Sequence, residues 1–199
     1  MTVHKIYPVG FAANSYLITN DGKTAIAIDP AQPRVFDEAQ KRGLTVTHVL
    51  LTHGHFDHIG GVGAFYDKGA KVGCLREELP LVFGEDNLAL TMGDGPVAPF
   101  RIDMLFYDGQ ELELCGFPIR VIATPGHTAG GCCYLIGDTL FTGDTLFCGS
   151  YGRCDLPTGS YLALERSLRK LFSLGENYKV CSGHGEDTSL DYEKGYYGF

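Results

Sequence analysis

The chain has 199 residues, 44% of them hydrophobic and 20% charged, which predicts a single ordinary globular domain over residues 1–199 and excludes a disordered chain. Its net charge of −8 at pH 7 argues against a nucleic-acid partner, because phosphate binding needs a basic surface. No apolar run approaches the roughly 18 residues that cross a bilayer, and the N-terminus lacks a signal-peptide core, so we expect no membrane partner and a cytoplasmic location.

Short apolar runs separated by turn signals predict the elements of the first half of the chain. Strands are predicted at residues 14–19, 24–29, 46–52 and 71–75. The first two form a hairpin, because an Asp-Gly turn signal joins them. A helix is predicted at 33–43, because the segment begins with a proline and ends with a glycine. A second helix is predicted at 76–82, broken by Pro80. Residues 84–100 show little periodicity and are expected to form a surface excursion.

The second half of the chain is dominated by strands. They are predicted at residues 111–114, 117–124, 132–136, 139–142 and 178–182, and one helix is predicted at 160–172 from its leucine spacing. Hairpins and helices interspersed in this way indicate a layered α/β fold with mostly antiparallel sheets. The pattern by itself does not exclude a doubly wound parallel sheet.

The segment L-T-H-G-H-F-D-H-I-G-G, residues 51–61, contains three of the seven histidines and one aspartate. Either a polar surface loop or a set of metal ligands would give this composition. His53 and His55 are two positions apart on extended chain, so their side chains point to the same side. Asp57 and His58 are expected to begin a helix that turns both side chains toward the same centre.

Three other predicted strands end in a histidine or an aspartate flanked by glycine. His127 lies in T-P-G-H-T, Asp144 in T-G-D-T and His184 in S-G-H-G. Strand ends at one edge of a sheet converge in space, and glycine allows close backbone approach, so together they favour metal ligands over a polar loop. The expected sets are His53, His55 and His127 around one ion, Asp57, His58 and His184 around a second, and Asp144 bridging the two. Imidazole and carboxylate donors suit zinc, iron and manganese.

Seven cysteines are present without a C-x-x-C pair, which predicts neither a disulfide framework nor a zinc ribbon. Most are expected to be small buried hydrophobic residues. This expectation is weakest for Cys148 and Cys154, since they flank the loop after Asp144.

The motifs His53-x-His55-x-Asp57-His58, T-P-G-His127-T, T-G-Asp144-T and G-His184-G resemble those of the metallo-β-lactamase fold superfamily, in order, from about residue 10 to 190. The resemblance implies an α/β (α+β) fold, a four-layer αβ/βα sandwich of two mostly antiparallel sheets flanked by helices. In that family the metal site lies at one edge of the paired sheets.

Within the superfamily the motifs are most similar to those of glyoxalase II, the hydroxyacylglutathione hydrolases, and especially their short bacterial relatives. Asp144 and His58 depart from true β-lactamases, and His55 departs from the flavin-linked diiron relatives, which have Glu there. Transfer-RNA-processing nucleases share the first motif, but the acidic chain disfavours them. The loop G-R-C-D-L-P-T-G, residues 152–159, and the tail E-K-G-Y-Y-G-F, residues 193–199, also resemble the short relatives.

The resemblance implies a dinuclear metallohydrolase that cleaves thioesters such as S-lactoylglutathione. Two divalent ions, expected to be zinc but also compatible with iron or manganese, would share a hydroxide that attacks the carbonyl. Asp57 would orient that hydroxide. Arg153 is either a contact for a substrate carboxylate or a structural arginine of its loop, and Asp29 is either a partner of a ligand or a turn cap.

Several interpretations stay open at this point. Glyoxalase II carries a C-terminal helical domain that contacts glutathione, which we expect to be absent here, so a glutathione conjugate is only one candidate substrate. A persulfide dioxygenase of the same fold would hold a single iron through His53, His127 and Asp144. A lactonase is a third candidate enzyme, and a non-enzymatic metal-stabilised module is the remaining class. The acyl group, the thiol and the oligomeric state are not determined by the sequence.

Overall fold

Two six-stranded sheets form the centre of the molecule in the computed structural model, which describes residues 1–93 and 95–198. The first sheet contains, side by side, β1 (Thr2–Ile6), β2 (Ser15–Thr19), β3 (Thr24–Ile28), β4 (Thr45–Leu50), β5 (Lys71–Leu75) and β6 (Met104–Phe106). The second contains, also side by side, β7 (Glu111–Leu114), β8 (Phe117–Ala123), β9 (Cys132–Ile136), β10 (Thr139–Gly143), β11 (Lys179–Ser182) and β12 (Thr188–Ser189). Asp94 of the predicted excursion and Phe199 of the tail motif lie outside the described residues.

Six α-helices accompany the sheets in the described part of the chain. They are α1 (Arg34–Lys41), α2 (Phe56–Ile59), α3 (Val62–Tyr66), α4 (Leu79–Phe83), α5 (Tyr161–Phe172) and α6 (Leu190–Tyr197). A 3-10 turn at Arg76–Glu78 leads into α4, whose first turn contains Pro80. Proline is tolerated there because the first amides of a helix have no intrahelical acceptor, so the predicted break at Pro80 becomes a helix start.

Both sheets are mixed, and the first is more parallel than the sequence predicted. β1 to β3 pair antiparallel, whereas the β3–β4, β4–β5 and β5–β6 pairs are parallel. In the second sheet the β10–β11 pair is parallel, and the other four described pairs are antiparallel. The parallel pairs follow from helical crossovers, because α1 connects β3 to β4, while α2 and α3 lie between β4 and β5.

The hydrophobic core has three layers, which confirms the predicted four-layer αβ/βα sandwich. The central layer lies between the two sheets and includes Ile26, Ile28, Leu50, Val121, Tyr134 and Phe141. One outer layer joins the first sheet to α1 and α3, and the other joins the second sheet to α5 and α6. Strands packed on both faces read as near-continuous apolar runs, which is why T-A-I-A-I and K-V-G-C-L are recognisable as strands.

The predicted strands and helices agree with the observed ones to within two residues at each end, when the 3-10 turn is counted with α4. The elements that were not predicted are β1, β6, β12, α3 and α6, most of which are short and lie at a sheet edge or between predicted elements. All seven cysteines are free, and Cys74, Cys132, Cys133 and Cys181 are buried. Among the described residues, no helix is both long enough and apolar enough to cross a membrane.

Candidate metal centre

The loops that follow β4, β8, β10 and β11 meet at one edge of the sandwich, and each carries predicted ligands. The two sheets are joined there by backbone hydrogen bonds, including one from Cys132 N to Thr52 O at 2.9 Å. Another joins Asn14 N to Gly183 O at 2.7 Å. The convergence expected from the strand ends is therefore produced by direct contact between the sheets.

The structure brings the predicted ligands into two adjacent groups. The first group is His53, His55 and His127, and the second is Asp57, His58 and His184. Within each group the donor atoms lie within 4.8 Å of one another, so each group could hold a metal ion. A third overlapping group pairs Asp29 with His53 and His58. The carboxylate of Asp29 is already engaged in hydrogen bonds, so the first two groups are the better candidates.

Asp144 lies between the two groups. Its Oδ1 is 3.2 Å from His58 Nε2, and its Oδ2 is 3.5 Å from His127 Nε2 and 3.6 Å from His184 Nε2. The carboxylate thus faces one histidine of the first group and two of the second. This is the position that a bridging carboxylate would occupy.

Buried polar atoms without a hydrogen-bond partner concentrate at this centre. They include Nε2 of His53, His55 and His58 together with Oδ1 of Asp144. Leaving a buried polar atom unsatisfied costs about 1–3 kcal/mol, so four such atoms in one cluster indicate a partner that binds nitrogen and oxygen together. A divalent cation fits this donor set.

The electrostatics of the centre also fit a cation. Burial lowers the pKa of His53 well below its usual value, and burial with the neighbouring His127 lowers the pKa of His55 to about 4. These imidazoles are therefore neutral, the form that ligates metal. Burial alone would lower the pKa of His58, but the carboxylates of Asp144 and Asp57 raise it well above its usual value. The second group thus favours positive charge at its centre, which a bound cation supplies.

Asp29 lies behind the second group and orients it. Its Oδ2 accepts a hydrogen bond from His58 Nδ1 at 2.9 Å, which leaves Nε2 of that ring directed toward the cluster. The same carboxylate accepts from Thr52 N at 2.8 Å and Thr52 Oγ1 at 2.5 Å. Of the two interpretations of Asp29 from sequence, the structure favours a partner of a ligand.

Arg153 contributes its backbone to the centre rather than its charge. His127 Nδ1 donates to the Arg153 carbonyl oxygen at 2.7 Å, so Nε2 of His127 carries the lone pair. That Nε2 lies 2.9 Å from His55 Nδ1, inside the first group. The guanidinium is exposed and donates to both carboxylate oxygens of Asp155, at 2.7 and 2.8 Å. These contacts favour the structural interpretation of Arg153 over a substrate contact.

Asp57 is half-buried at the mouth of the centre. Its Oδ2 is 3.3 Å from His184 Nε2 and 3.9 Å from His58 Nε2. Burial would raise the pKa of Asp57, but the neighbouring His58 and His184 lower it, so the group is a carboxylate at neutral pH.

Two glycines are required by the close approach of chain segments at the centre. A Cβ on Gly183 would lie 2.3 Å from Asp144 Oδ1 and 2.7 Å from His58 Cε1. A Cβ on Gly152 would lie 2.0 Å from the Asp144 carbonyl oxygen. Real Cβ atoms do not approach so closely, which gives a packing reason for glycine beside the ligands.

Glu78 is a buried residue whose role the sequence did not predict. It lies in the 3-10 turn before α4, and its Oε1 accepts from Gly54 N at 2.8 Å. Its Oε2 accepts from Thr128 Oγ1 at 3.0 Å and Gly130 N at 2.8 Å. Burial raises the pKa of Glu78, and these three hydrogen bonds oppose the rise. The carboxylate ties the loop of His53 to the loop of His127. The segment R-E-E-L-P carries no local signal for this role.

Comparisons with known proteins agree with the fold. A sequence profile described as the metallo-beta-lactamase superfamily matches residues 8–184. The hydroxyacylglutathione hydrolase GloC of Haemophilus influenzae is 33% identical over 202 residues, covering 98% of this chain and 95% of the relative.

Among solved structures, the BLEG-1 B3 metallo-beta-lactamase has a TM-score of 0.91 at 31% identity, covering 98% of this chain and 97% of that one. TTHA1623, solved in a di-iron-bound form, has a TM-score of 0.82 at 34% identity, with 97% and 96% covered. ETHE1 from Myxococcus xanthus has a TM-score of 0.79 at 30% identity, with 98% and 82% covered.

Proposed function

This chain belongs to the metallo-β-lactamase superfamily of metal-dependent hydrolases, and we propose that it hydrolyses small-molecule thioesters at a centre of two divalent ions. The observation that carries the proposal is the pair of three-donor groups with the Asp144 carboxylate between them. The likeness to a hydroxyacylglutathione hydrolase supports thioester chemistry, and the likeness to a structure in a di-iron-bound form supports two ions. S-lactoylglutathione is the first substrate to test.

We assign seven ligands, three to each ion and one shared. They are His53, His55 and His127 at the first ion, Asp57, His58 and His184 at the second, and Asp144 between them. The donors suit zinc, and they also suit iron and manganese. When bound, the ions would polarise the thioester carbonyl and lower the pKa of a coordinated water to about 7.

The reaction that these residues would serve is a balanced hydrolysis. The water oxygen forms a bond to the carbonyl carbon, and the carbon–sulfur bond breaks. One water proton goes to the departing thiolate sulfur, and the second leaves as the carboxylic acid product ionises. The products are one thiol and one carboxylate, and no electrons are gained or lost.

The chain's own residues position the reacting groups. Asp57 Oδ2 faces the cluster and can accept a hydrogen bond from the attacking water. The Arg153 carbonyl holds the ring of His127, and Asp29 holds the ring of His58. Glu78 keeps the two loops of the three-histidine group together. Ordered ligands of this kind reduce the reorganisation needed during the reaction.

Metal content and a substrate panel test the proposal together. Elemental analysis of the purified protein is expected to give two divalent ions per chain, and the loaded protein is expected to hydrolyse S-lactoylglutathione or another acyl thioester. A β-lactam such as nitrocefin and a simple lactone serve as comparison substrates. Two bound ions with β-lactam or lactone turnover and no thioester turnover would overturn the thioester assignment.

A persulfide dioxygenase would give a different pair of results. It needs only His53, His127 and Asp144, and it leaves the second group, Asp57, His58 and His184, without a role. A single iron per chain, together with oxygen uptake on glutathione persulfide, would replace the hydrolase proposal with that oxidoreductase. A protein that binds metal and turns over none of these compounds would support a non-enzymatic module.

A further inference from the structure

A cleft of about 590 Å³ opens directly onto the proposed metal centre. Its inner end is formed by five of the proposed ligands: His55, Asp57, His127, Asp144 and His184. Clefts of this size hold small-molecule ligands. When a substrate carbonyl lies at the ligands, one arm of the substrate therefore lies along this cleft.

The walls of the cleft are mostly hydrocarbon. They come from the loop before β2, the start of α2, the excursion after α4 and the loop after β10. The residues are Pro8, Phe11, Ala12, Phe56, Leu88, Met92, Phe147 and Leu156. Phe11 is 90% exposed and Met92 is 56% exposed, although both side chains are large and apolar. Apolar side chains held in water at the mouth of a site favour a ligand that covers them.

The same walls offer little to a charged substrate arm. Among the described residues that line the cleft, Arg153 is the one with a cationic side chain. Its guanidinium is already bonded to both oxygens of Asp155. The two carboxylates of glutathione would therefore find no unpaired cation on these walls.

We infer that the site takes thioesters whose acyl group is an uncharged hydrocarbon chain of medium length, lying between Phe11, Met92 and Phe147. The inference rests on the proposed thioester hydrolysis and names the substrate class of that same site. The apolar walls are assigned to the acyl side for a chemical reason. The thiols of biological thioesters carry peptide or charged groups, whereas acyl groups are commonly hydrocarbon.

Acyl chain length is the first variable to test, with the thiol held constant and neutral. The zinc-loaded protein is assayed with N-acetylcysteamine thioesters from acetyl to octanoyl. Because a buried methylene contributes about 0.8 kcal/mol, kcat/KM is expected to rise about fourfold for each methylene that enters the cleft. A flat or falling series, or S-lactoylglutathione as a better substrate than octanoyl thioester, would overturn the inference while leaving thioester hydrolysis intact.

A pair of variants on one segment tests the location of the acyl chain. Met92→Gln places a polar side chain of similar size on the cleft wall. Leu90→Gln is the matched control, because Leu90 is 67% exposed on the same segment but does not line the cleft. The first variant is expected to lower kcat/KM for octanoyl thioester about fivefold to tenfold, and to lower it by a smaller factor for the acetyl thioester, whose chain is too short to reach far along the wall. Equal effects of the two variants would contradict the proposed location.

Binding without turnover separates this inference from the proposed function. The chain contains no tryptophan, so Phe11→Trp introduces a single indole at the mouth of the cleft. The non-hydrolysable thioether S-octyl-N-acetylcysteamine is expected to shift its emission to the blue, in metal-free and zinc-loaded protein, whereas the S-ethyl compound is not. A blue shift without hydrolysis of any thioester would retain the apolar cleft and refute the thioesterase. Thioester hydrolysis without a blue shift would refute the apolar cleft alone.

Discussion

Replacing Glu78 with alanine is expected to weaken both the fold and metal binding at the three-histidine group. The Glu78 carboxylate is buried and accepts hydrogen bonds from Gly54 N, Thr128 Oγ1 and Gly130 N. These donors belong to two loops that are far apart in sequence. Without the carboxylate, the three donors lose the acceptor that they share, and the backbone hydrogen bond from Cys132 N to Thr52 O is left to join the loops.

The magnitude follows from the three donors. Each buried donor without an acceptor costs about 1–2 kcal/mol. The variant no longer buries a carboxylate, and this gain offsets part of the total. Glu78→Ala should therefore lower the free energy of unfolding by about 2–4 kcal/mol. Glu78→Gln keeps the shape and one carbonyl oxygen. That oxygen is expected to accept from Thr128 and Gly130, so the new amide NH₂ faces the N–H of Gly54, which is also a donor. The free energy of unfolding should then fall by about 1–2 kcal/mol.

Two measurements check these values. Urea unfolding of the metal-free protein gives the free energy of unfolding, and competition with a chelator gives the zinc affinity. The zinc affinity of Glu78→Ala is expected to fall about 10-fold to 100-fold, as for other residues that orient ligands. Glu77→Ala is the matched control, since Glu77 is exposed on the same 3-10 turn. If Glu78→Ala matches that control in both measurements, the proposed link between the loops is wrong.

Three smaller predictions concern other parts of the molecule. Gly183→Ala places a Cβ 2.3 Å from Asp144 Oδ1, so the amount of metal bound per chain should fall. Gly175→Ala is the control, because no described atom beyond its chain neighbours lies within 4 Å of the added Cβ, and this variant should bind metal as the wild type does. Partial burial would raise the pKa of Asp187, but hydrogen bonds from Lys179 and Lys5 lower it. The ionised carboxylate therefore stabilises the fold at neutral pH, and this contribution is lost as the pH falls below about 4. Asp187→Asn should therefore lower the melting temperature of the metal-free protein at pH 7 more than at pH 3, and equal losses at the two pH values would refute this. Ser160→Ala removes the hydrogen bond from Ala163 N to Ser160 Oγ that caps the start of α5, so the free energy of unfolding in urea should fall by about 1 kcal/mol. An unchanged urea midpoint would contradict this.

The sequence by itself determined the layered fold and the residues of the candidate centre. Apolar runs such as T-A-I-A-I identify buried strands, and turn signals such as Asp21-Gly22 separate them, because strand burial and turn geometry are local properties. The His53 and His55 pair and the glycine-flanked His127 could be recognised as ligands for a similar reason. Their chemistry and their spacing along the chain are both visible without coordinates.

The tertiary structure decided what lies behind and around those residues. Glu78 is linked to Gly130 across 52 positions and Asp29 to His58 across 29, and no local pattern encodes such contacts. The position of Asp144 between the two groups likewise depends on how the second sheet packs against the first. The parallel pairing in the first sheet came from the crossover helices. The apolar cleft was also invisible in sequence, because Phe11 and Met92 come from separate loops, one before β2 and one after α4, that line one cleft only in the folded chain.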